Sequence, residues 1–360
     1  MNKKIRVLVV DDSAFMRKSI SIMLESDPEI EVVATAKDGI EGIEAVKKYQ
    51  PDIVTLDIEM PRMDGLQALE RIMEENPVPV LMVSSLTTEG AEATIKALEL
   101  GAVDFIPKEL SFVSVNIINI KEDLLRKVKE IVKQREKIIR RKRLQIYSTP
   151  HTLTKKKEER SAEIVSKKII GHFRAVAIGI STGGPMSLQK VIPRINKKIN
   201  VPVFVVQHMP PKFTKSLADR LNSLSEIEVK EAENNEIVRN GVVYFAPGGF
   251  HMLFKKQNGD IKILISENPS DTLHKPSVDV MLESLIEIYG KDILSVIMTG
   301  MGKDGYQAIK HLVSMGGKCI AQDEESCVVY GMPKAVVDAN LADAVVPLEK
   351  IADKINEAFL

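Results

Sequence analysis

The sequence predicts an α/β protein of two doubly wound domains. The first is a five-stranded parallel sheet, the second a mainly parallel sheet with a short antiparallel patch. Three observations predict it. Short apolar runs alternate with stretches of helical periodicity through residues 1–122 and again through 169–360. Those runs are rich in Val and Ile and bounded by turn residues, as strands buried on both faces of a parallel sheet require. Between the two series, residues 123–168 form a helical, basic and then polar connection with little apolar periodicity, which reads as a linker.

Composition narrows the function classes. A chain of 360 residues can bury two or three cores. With 44% hydrophobic and 28% charged residues, it has the balance of an ordinary soluble protein. A net charge of zero gives no ground for nucleic acid as a general partner. The longest apolar runs are far too short to span a bilayer. The amino terminus enters a strand-like run directly, without a secretory hydrophobic region, so a cytoplasmic location is expected. The two cysteines, Cys319 and Cys327, read as packed thiols in a reducing compartment.

In the first domain, strand signals cover residues 7–10, 31–36, 53–56, 80–83 and 104–106. Helical signals cover 14–25, 39–47, a stretch starting near Gly65, and 91–100. The strands end at Asp11-Asp12-Ser13, at Asp57, at Ser84-Ser85 and at Lys108, so these polar residues converge on one sheet edge. Crowded carboxylates repel one another unless a hard cation sits among them, and a few carboxylates plus water suit Mg²⁺. A carboxylate flanked by Mg²⁺, a hydroxyl and a lysine is arranged to accept a phosphoryl group. Taken singly, Asp12 is as readily a helix N-cap or solvated turn residue as it is a metal ligand.

This pattern resembles the response-regulator receiver domain, a flavodoxin-like fold. The resemblance rests on Asp11-Asp12-Ser13, Leu56-Asp57-Ile58-Glu59-Met60-Pro61, Asp64-Gly65, Val83-Ser84-Ser85 and Asp104-Phe105-Ile106-Pro107-Lys108. It implies that Asp57 is the phospho-acceptor and that Asp11 and Asp12 hold Mg²⁺ with it. Ser84, Phe105 and Lys108 are then the phosphoryl switch. One departure is that Glu109, not proline, follows Lys108, which leaves no proline for the family's cis peptide.

Beyond residue 121 the helical pattern becomes basic, with Arg135, Lys137, Arg140, Arg141, Lys142 and Arg143, and Lys155-Lys156-Lys157 follows. No aromatic residues interleave to stack on bases, so this reads as a solvated helix end.

In the second domain, strand signals lie at 175–180, 203–207, 229–232, 242–246, 252–254, 261–265, 293–299, 318–321 and 344–346. Helical signals lie at 186–195, 214–224, 278–289, 305–314 and 348–359. The runs at 242, 252 and 261 have connections too short for helices and read as the antiparallel patch. The first strand runs into Gly179-Ile180-Ser181-Thr182-Gly183-Gly184-Pro185. Three readings stay open there: a serine nucleophile on a G-x-S-x-G strand–turn–helix corner, a degenerate dinucleotide loop, or a plain tight turn. The next strand ends in Gln207-His208, where a dinucleotide site would place an acidic ribose partner, and this weakens the second reading.

Ser181, His208 and Asp304 each fall just past the end of a separate strand. An imidazole can deprotonate a serine, and a carboxylate fixes the imidazole's tautomer. Read bluntly, His208 is a buried histidine and Asp304 the N-cap of its own helix. His251, His274 and His311 are rivals, and His274-Lys275-Pro276-Ser277-Val278-Asp279 holds Ser, His and Asp in one loop. That loop lacks a glycine corner, so it reads as substrate-contacting or structural.

Several separated motifs in this half look like the catalytic domain of the chemotaxis methylesterase family, CheB. They are Ile180-Ser181-Thr182-Gly183-Gly184-Pro185, Gln207-His208-Met209-Pro210, Ala246-Pro247-Gly248-Gly249, His274-Lys275-Pro276-Ser277-Val278-Asp279 and Thr299-Gly300-Met301-Gly302-Lys303-Asp304-Gly305. The resemblance implies a hydrolase of glutamyl methyl esters, and of glutamine amides, on chemoreceptor helices. Ser181 is then the nucleophile, His208 the base and Asp304 its partner. The Met301 amide becomes an oxyanion donor beside Thr182. It further implies a chemotaxis histidine kinase as phosphodonor and an esterase site without cofactor. The presence of an Asp57 pocket and a Ser181 pocket in one chain leads to a separate expectation, that the unphosphorylated receiver covers the esterase rim. The alternatives are a phosphorylation-controlled binding module with a silent second domain and, behind it, an acyl-hydrolase acting on a small ester.

Overall fold

The computed structural model describes residues 4–108, 116–134 and 169–359. Residues 135–168, which carry most of the linker and its basic run, and the peptide after Lys108 lie outside the described residues. The chain divides between residues 153 and 154 into two compact units, each considered by itself.

The first unit runs β1 (Ile5–Val10), α1 (Ala14–Glu25), β2 (Ile30–Ala36), α2 (Gly39–Tyr49), β3 (Ile53–Asp57), α3 (Gly65–Glu75), β4 (Val80–Ser84), α4 (Thr88–Leu100), β5 (Asp104–Pro107) and α5 (Asn116–Lys133). Every strand pair is parallel, in the order β2-β1-β3-β4-β5. β3 and β4 are buried along their whole length, as the mainly apolar sequences that lead into Asp57 and Ser84 require. Four helices begin at side-chain caps: Ser13, Asp38, Asp64 and Thr87 each accept an amide of the first turn. Ser13 caps α1, so Asp12 is left free of that role. α5 extends past residue 122, where the sequence reading begins the linker, and buries Leu124, Val128 and Ile131. The chain leaves β1 for β2 on one side and returns to β3 on the other, so the switch point lies between β1 and β3.

The second unit runs β6 (Ala175–Ile180), α6 (Gly184–Val191), β7 (Val203–Gln207), α7 (Phe213–Leu224), β8 (Glu228–Glu231), β9 (Val242–Phe245), β10 (His251–Gln257), β11 (Asp260–Ser266), α8 (Val278–Tyr289), β12 (Ile293–Ile297), α9 (Tyr306–Ser314), β13 (Lys318–Gln322), α10 (Met332–Asp338), β14 (Ala344–Val346) and α11 (Leu348–Glu357). Seven strands form one parallel sheet in the order β14-β13-β12-β6-β7-β9-β8.

Here the structure corrects the sequence reading. β9 does not join the antiparallel patch; it lies parallel between β7 and β8, buried throughout. Only β10 and β11 pair antiparallel, as a separate hairpin turning at Asn258-Gly259, both with positive φ. The chain from β8 to β9 makes its parallel crossover through residues 232–241 without a helix, which the short connection concealed. α10 is a further helix that the periodicity did not reveal; it has seven residues and Pro333 in its first turn. The central strands β6 and β12 are neighbours at the topological switch point, between the two halves of the winding. No helix among the described residues is long and apolar enough to cross a membrane.

Candidate functional site

The structure brings the acidic residues of the first unit together at its switch point. One carboxylate oxygen from each of Asp11, Asp12 and Asp57 lies within 4.8 Å of the others. Lys108 reaches in from the end of β5, its Nζ 2.6 Å from Asp57 Oδ2 and 3.3 Å from Asp11 Oδ2. Apart from that ammonium, no hydrogen-bond partner among the described residues meets these two buried oxygens. Orphaned carboxylate oxygens facing one point are what a hard cation requires, so the residues fit Mg²⁺.

The electrostatics agree. Burial raises the Asp57 carboxyl to about 6, against the opposing pull of Lys108 and with added repulsion from Asp11. Asp11 is raised for the same first reason. Burial would lower the Lys108 ammonium, but its ion pairs with Asp57 and Asp11 outweigh that and raise it.

Ser84 and Phe105 flank this pocket in a defined arrangement. The Ser84 hydroxyl faces α4: it lies 2.7 Å from Thr94 Oγ1, and both hydroxyls reach Gly90 O, at 3.1 and 2.7 Å. Phe105 is already buried, and Lys127 Nζ donates to its carbonyl at 2.7 Å.

In the second unit, the register of β6 with β7 pairs Ile180 with Gln207. Ser181 and His208 are therefore the next residues beyond two adjacent strands, with backbones about 5 Å apart. The Ser181 amide donates to Thr299 O at 3.0 Å, which ties the serine to the end of β12. Gly300 permits that approach, since a Cβ there would sit 2.8 Å from Ser181 Cβ. From the turn after β12, Asp304 Oδ2 meets His208 Nε2 at 2.7 Å. A carboxylate at Nε2 holds the proton on that nitrogen and leaves the Nδ1 lone pair for use as a base. Nδ1 is buried and has no hydrogen-bond partner among the described residues.

Asp304 is not the cap of its own helix, as the blunt reading had it. α9 starts after Gly305, which has no side chain to cap it, and Asp304 does not fill that role. Asp304 instead caps α8, accepting from Ser277 Oγ at 2.9 Å, Val278 N at 2.7 Å and Asp279 N at 3.1 Å. Asp279 returns the contact by accepting from Ala308 N, in the first turn of α9, at 2.9 Å. Burial alone would raise the Asp304 carboxyl, but His208 and the two amides of the helix end outweigh it and hold it well below the usual range. Asp279 goes the other way: burial raises it to about 6, against the Ala308 amide and with the charge of Asp304 adding.

The amides of Thr182 and Met301 donate to no acceptor among the described residues, so both are available to an oxyanion. The rival histidines separate cleanly. His251 is fully buried, accepts from Ser277 N at Nδ1 and meets Pro269 O and Thr272 Oγ1 at Nε2, so it anchors a loop. His311 is exposed and pairs with Glu283 on the outer face. His274 stacks on His208, with ring centroids 4.1 Å apart.

Sequence reasoning ranked the 274–279 loop as substrate-contacting or structural; it supplies the stacking ring, the Ser277 hydroxyl on Asp304 and an Asp279 carboxylate that caps α9. That reasoning missed Thr299, whose buried hydroxyl lies 3.0 Å from Thr182 O and accepts the amides of Val328 and Val329. The signal for Thr299 was its place directly before Gly300; the 274–279 loop offered no such neighbour.

Two family models match this chain: one described as CheB methylesterase over residues 176–355, the other as response regulator receiver domain over residues 7–116. A protein-glutamate methylesterase/protein-glutamine glutaminase 2 of Nitratidesulfovibrio vulgaris is 49% identical over 363 residues, covering 98% of both chains. A protein-glutamate methylesterase/protein-glutamine glutaminase of Pyrococcus abyssi is 46% identical over 356 residues, covering 99% of this chain and 94% of that one. Among solved structures, the Thermotoga maritima CheB methylesterase catalytic domain is 48% identical with a TM-score of 0.50, covering 51% of this chain and 98% of that one.

Proposed function

This chain belongs to the CheB methylesterase family, and on that premise we propose that Ser181, His208 and Asp304 hydrolyse glutamyl methyl esters and glutamine amides on chemoreceptor helices, under the control of phosphorylation at Asp57. The observation that carries the reading is the His208 ring, bonded through Nε2 to Asp304 and offering a partnerless Nδ1 one strand away from Ser181.

Ser181 Oγ attacks the ester carbonyl and its proton passes to Nδ1 of His208. The developing oxyanion takes the Met301 and Thr182 amides. His208 then gives the proton to the departing methoxide, and methanol leaves; for glutamine the leaving group is ammonia. Water, deprotonated by the same nitrogen, cleaves the acyl-serine and frees glutamate. Asp304 stays ionised throughout and stabilises the imidazolium of each step.

In the first unit, Asp57 takes the phosphoryl group from a histidine kinase, and Asp11, Asp12 and Asp57 are the residues to hold Mg²⁺. When bound, that ion supplies positive charge to the transferring oxygens. Lys108 neutralises the phosphoryl group from the other side. Ser84 turns from Gly90 and Thr94 to meet it, and Phe105 completes the switch.

Methanol release from a methylated receptor, with and without acetyl phosphate, tests the proposal. The wild-type chain should release methanol, faster with the phosphodonor. Ser181→Ala should bind receptor and release none; an active Ser181→Ala protein overturns the assignment.

A further inference from the structure

We infer that Gln207 is a positioning residue whose side-chain amide spans the ends of β6 and β7 and sets the spacing between the Ser181 hydroxyl and the His208 imidazole. The inference rests on the assignment of those two residues above. Gln207 Nε2 donates to Ser181 O at 3.0 Å and to His208 O at 3.3 Å. One NH₂ group thus holds the main chain of both reacting residues, at the point where the strand ladder ends. A hydroxyl has one hydrogen to give, and an ammonium would bring a charge into a site that is 2% exposed. A primary amide gives two hydrogens and no charge.

The amide has one workable orientation, because its flipped form would face Oε1 toward two carbonyl oxygens. In the observed form Oε1 is buried without a hydrogen-bond partner among the described residues. Buried acceptors of that kind are rare in protein interiors, and departures from ordinary packing rules concentrate where function demands them. Gly184 is matched to the same side chain: a Cβ there would fall 1.8 Å from Gln207 Oε1. Nucleophile–base spacing is where small displacements cost most, since about 1 Å can cost about a hundredfold in rate.

The test uses the full chain with Mg²⁺ and acetyl phosphate, and reads methanol release from a methylated receptor. Gln207→Met keeps the length and removes both donors. It should lower kcat about 10- to 100-fold with KM unchanged, and slow labelling of Ser181 by a phosphonate in step. A folded Gln207→Met protein with kcat within about twofold of wild type overturns the inference. Gln207→Glu carries the test if the first variant fails to fold. Its carboxylate faces the two carbonyls without a donor, and protonation restores one O–H. The ratio of its kcat to that of wild type should therefore rise as pH falls, and a flat ratio overturns the inference. Ser181→Ala is run alongside: if it stays active, the parent assignment fails, whereas an inactive Ser181→Ala beside a fully active Gln207→Met sinks the positioning role alone.

Discussion

Asp57 and Asp304 are the same residue type in comparable topological positions, one buried at the carboxyl end of β3 and the other half-buried in the turn after β12, each beside a switch point. Their electrostatics are opposite. Asp57 accepts one backbone amide, Glu59 N at 3.3 Å, and one ammonium, while Asp11 repels it, so burial wins and its carboxyl rises to about 6. Asp304 accepts a hydroxyl, two amides of a helix start and an imidazole N–H, and it is held well below the ordinary range. Position in the fold therefore selects where a carboxylate goes, and the count of donors selects what it can do. The under-satisfied one is poised to gain a cation and a phosphoryl group. The over-satisfied one is a fixed anion for an imidazole.

The largest effect should come from the fixed anion. Asp304→Asn keeps the size and loses the charge that holds the His208 proton on Nε2, and kcat for methanol release should fall about 10³- to 10⁴-fold with little change in KM. A loss under tenfold would mean that hydrogen bonding alone suffices.

Asp57→Asn should abolish activation by acetyl phosphate, leave basal activity intact, and raise the thermal unfolding temperature of the metal-free protein at neutral pH. The sign follows from linkage. A carboxyl at about 6 in the fold and near 3.8 when unfolded binds more protons in the fold, so its contribution to stability falls as pH rises from about 4 to 6 and stays lost above that. The same reasoning predicts that Mg²⁺ raises the unfolding temperature of the first unit by a few degrees at pH 7.5 and by less at pH 5, as calorimetry can record. Equal shifts at the two pH values would break the comparison.

The smallest effect belongs to the ring on His208. His274→Ala should reduce kcat a few-fold and His274→Phe much less, because phenylalanine preserves the stacked face. Equal losses would mean that His274 acts through its nitrogens.

Much of this was legible in the residues. β6, α8 and β14 begin and end where apolar runs meet turn residues, and each strand end carries the polar residue assigned to it. The convergence of Asp11, Asp57 and Lys108 on one edge was readable from those ends, whereas the partnership of His208 with Asp304 was implied only by the family resemblance. Strand direction did not follow, because periodicity is blind to it; β9 was therefore placed in the hairpin although its crossover is irregular chain. Nor did the exchange of caps between Asp279 and Asp304, since a capping rule looks forward a few residues and these carboxylates cap each other's helices across 25 positions. The stack of His274 on His208 joins two loops that no spacing connects.

The central claim is that a permanently ionised Asp304 fixes the His208 proton on Nε2 and leaves Nδ1 as the base. Long-range ¹H–¹⁵N NMR of the full chain labelled in its histidines reads that tautomer directly. At neutral pH, His208 should be protonated at Nε2, with Nδ1 resonating as an unprotonated ring nitrogen, and Asp304→Asn should disturb that state. A His208 protonated at Nδ1 in the wild-type chain would contradict the account, because Nδ1 would then have no lone pair to take the serine's proton.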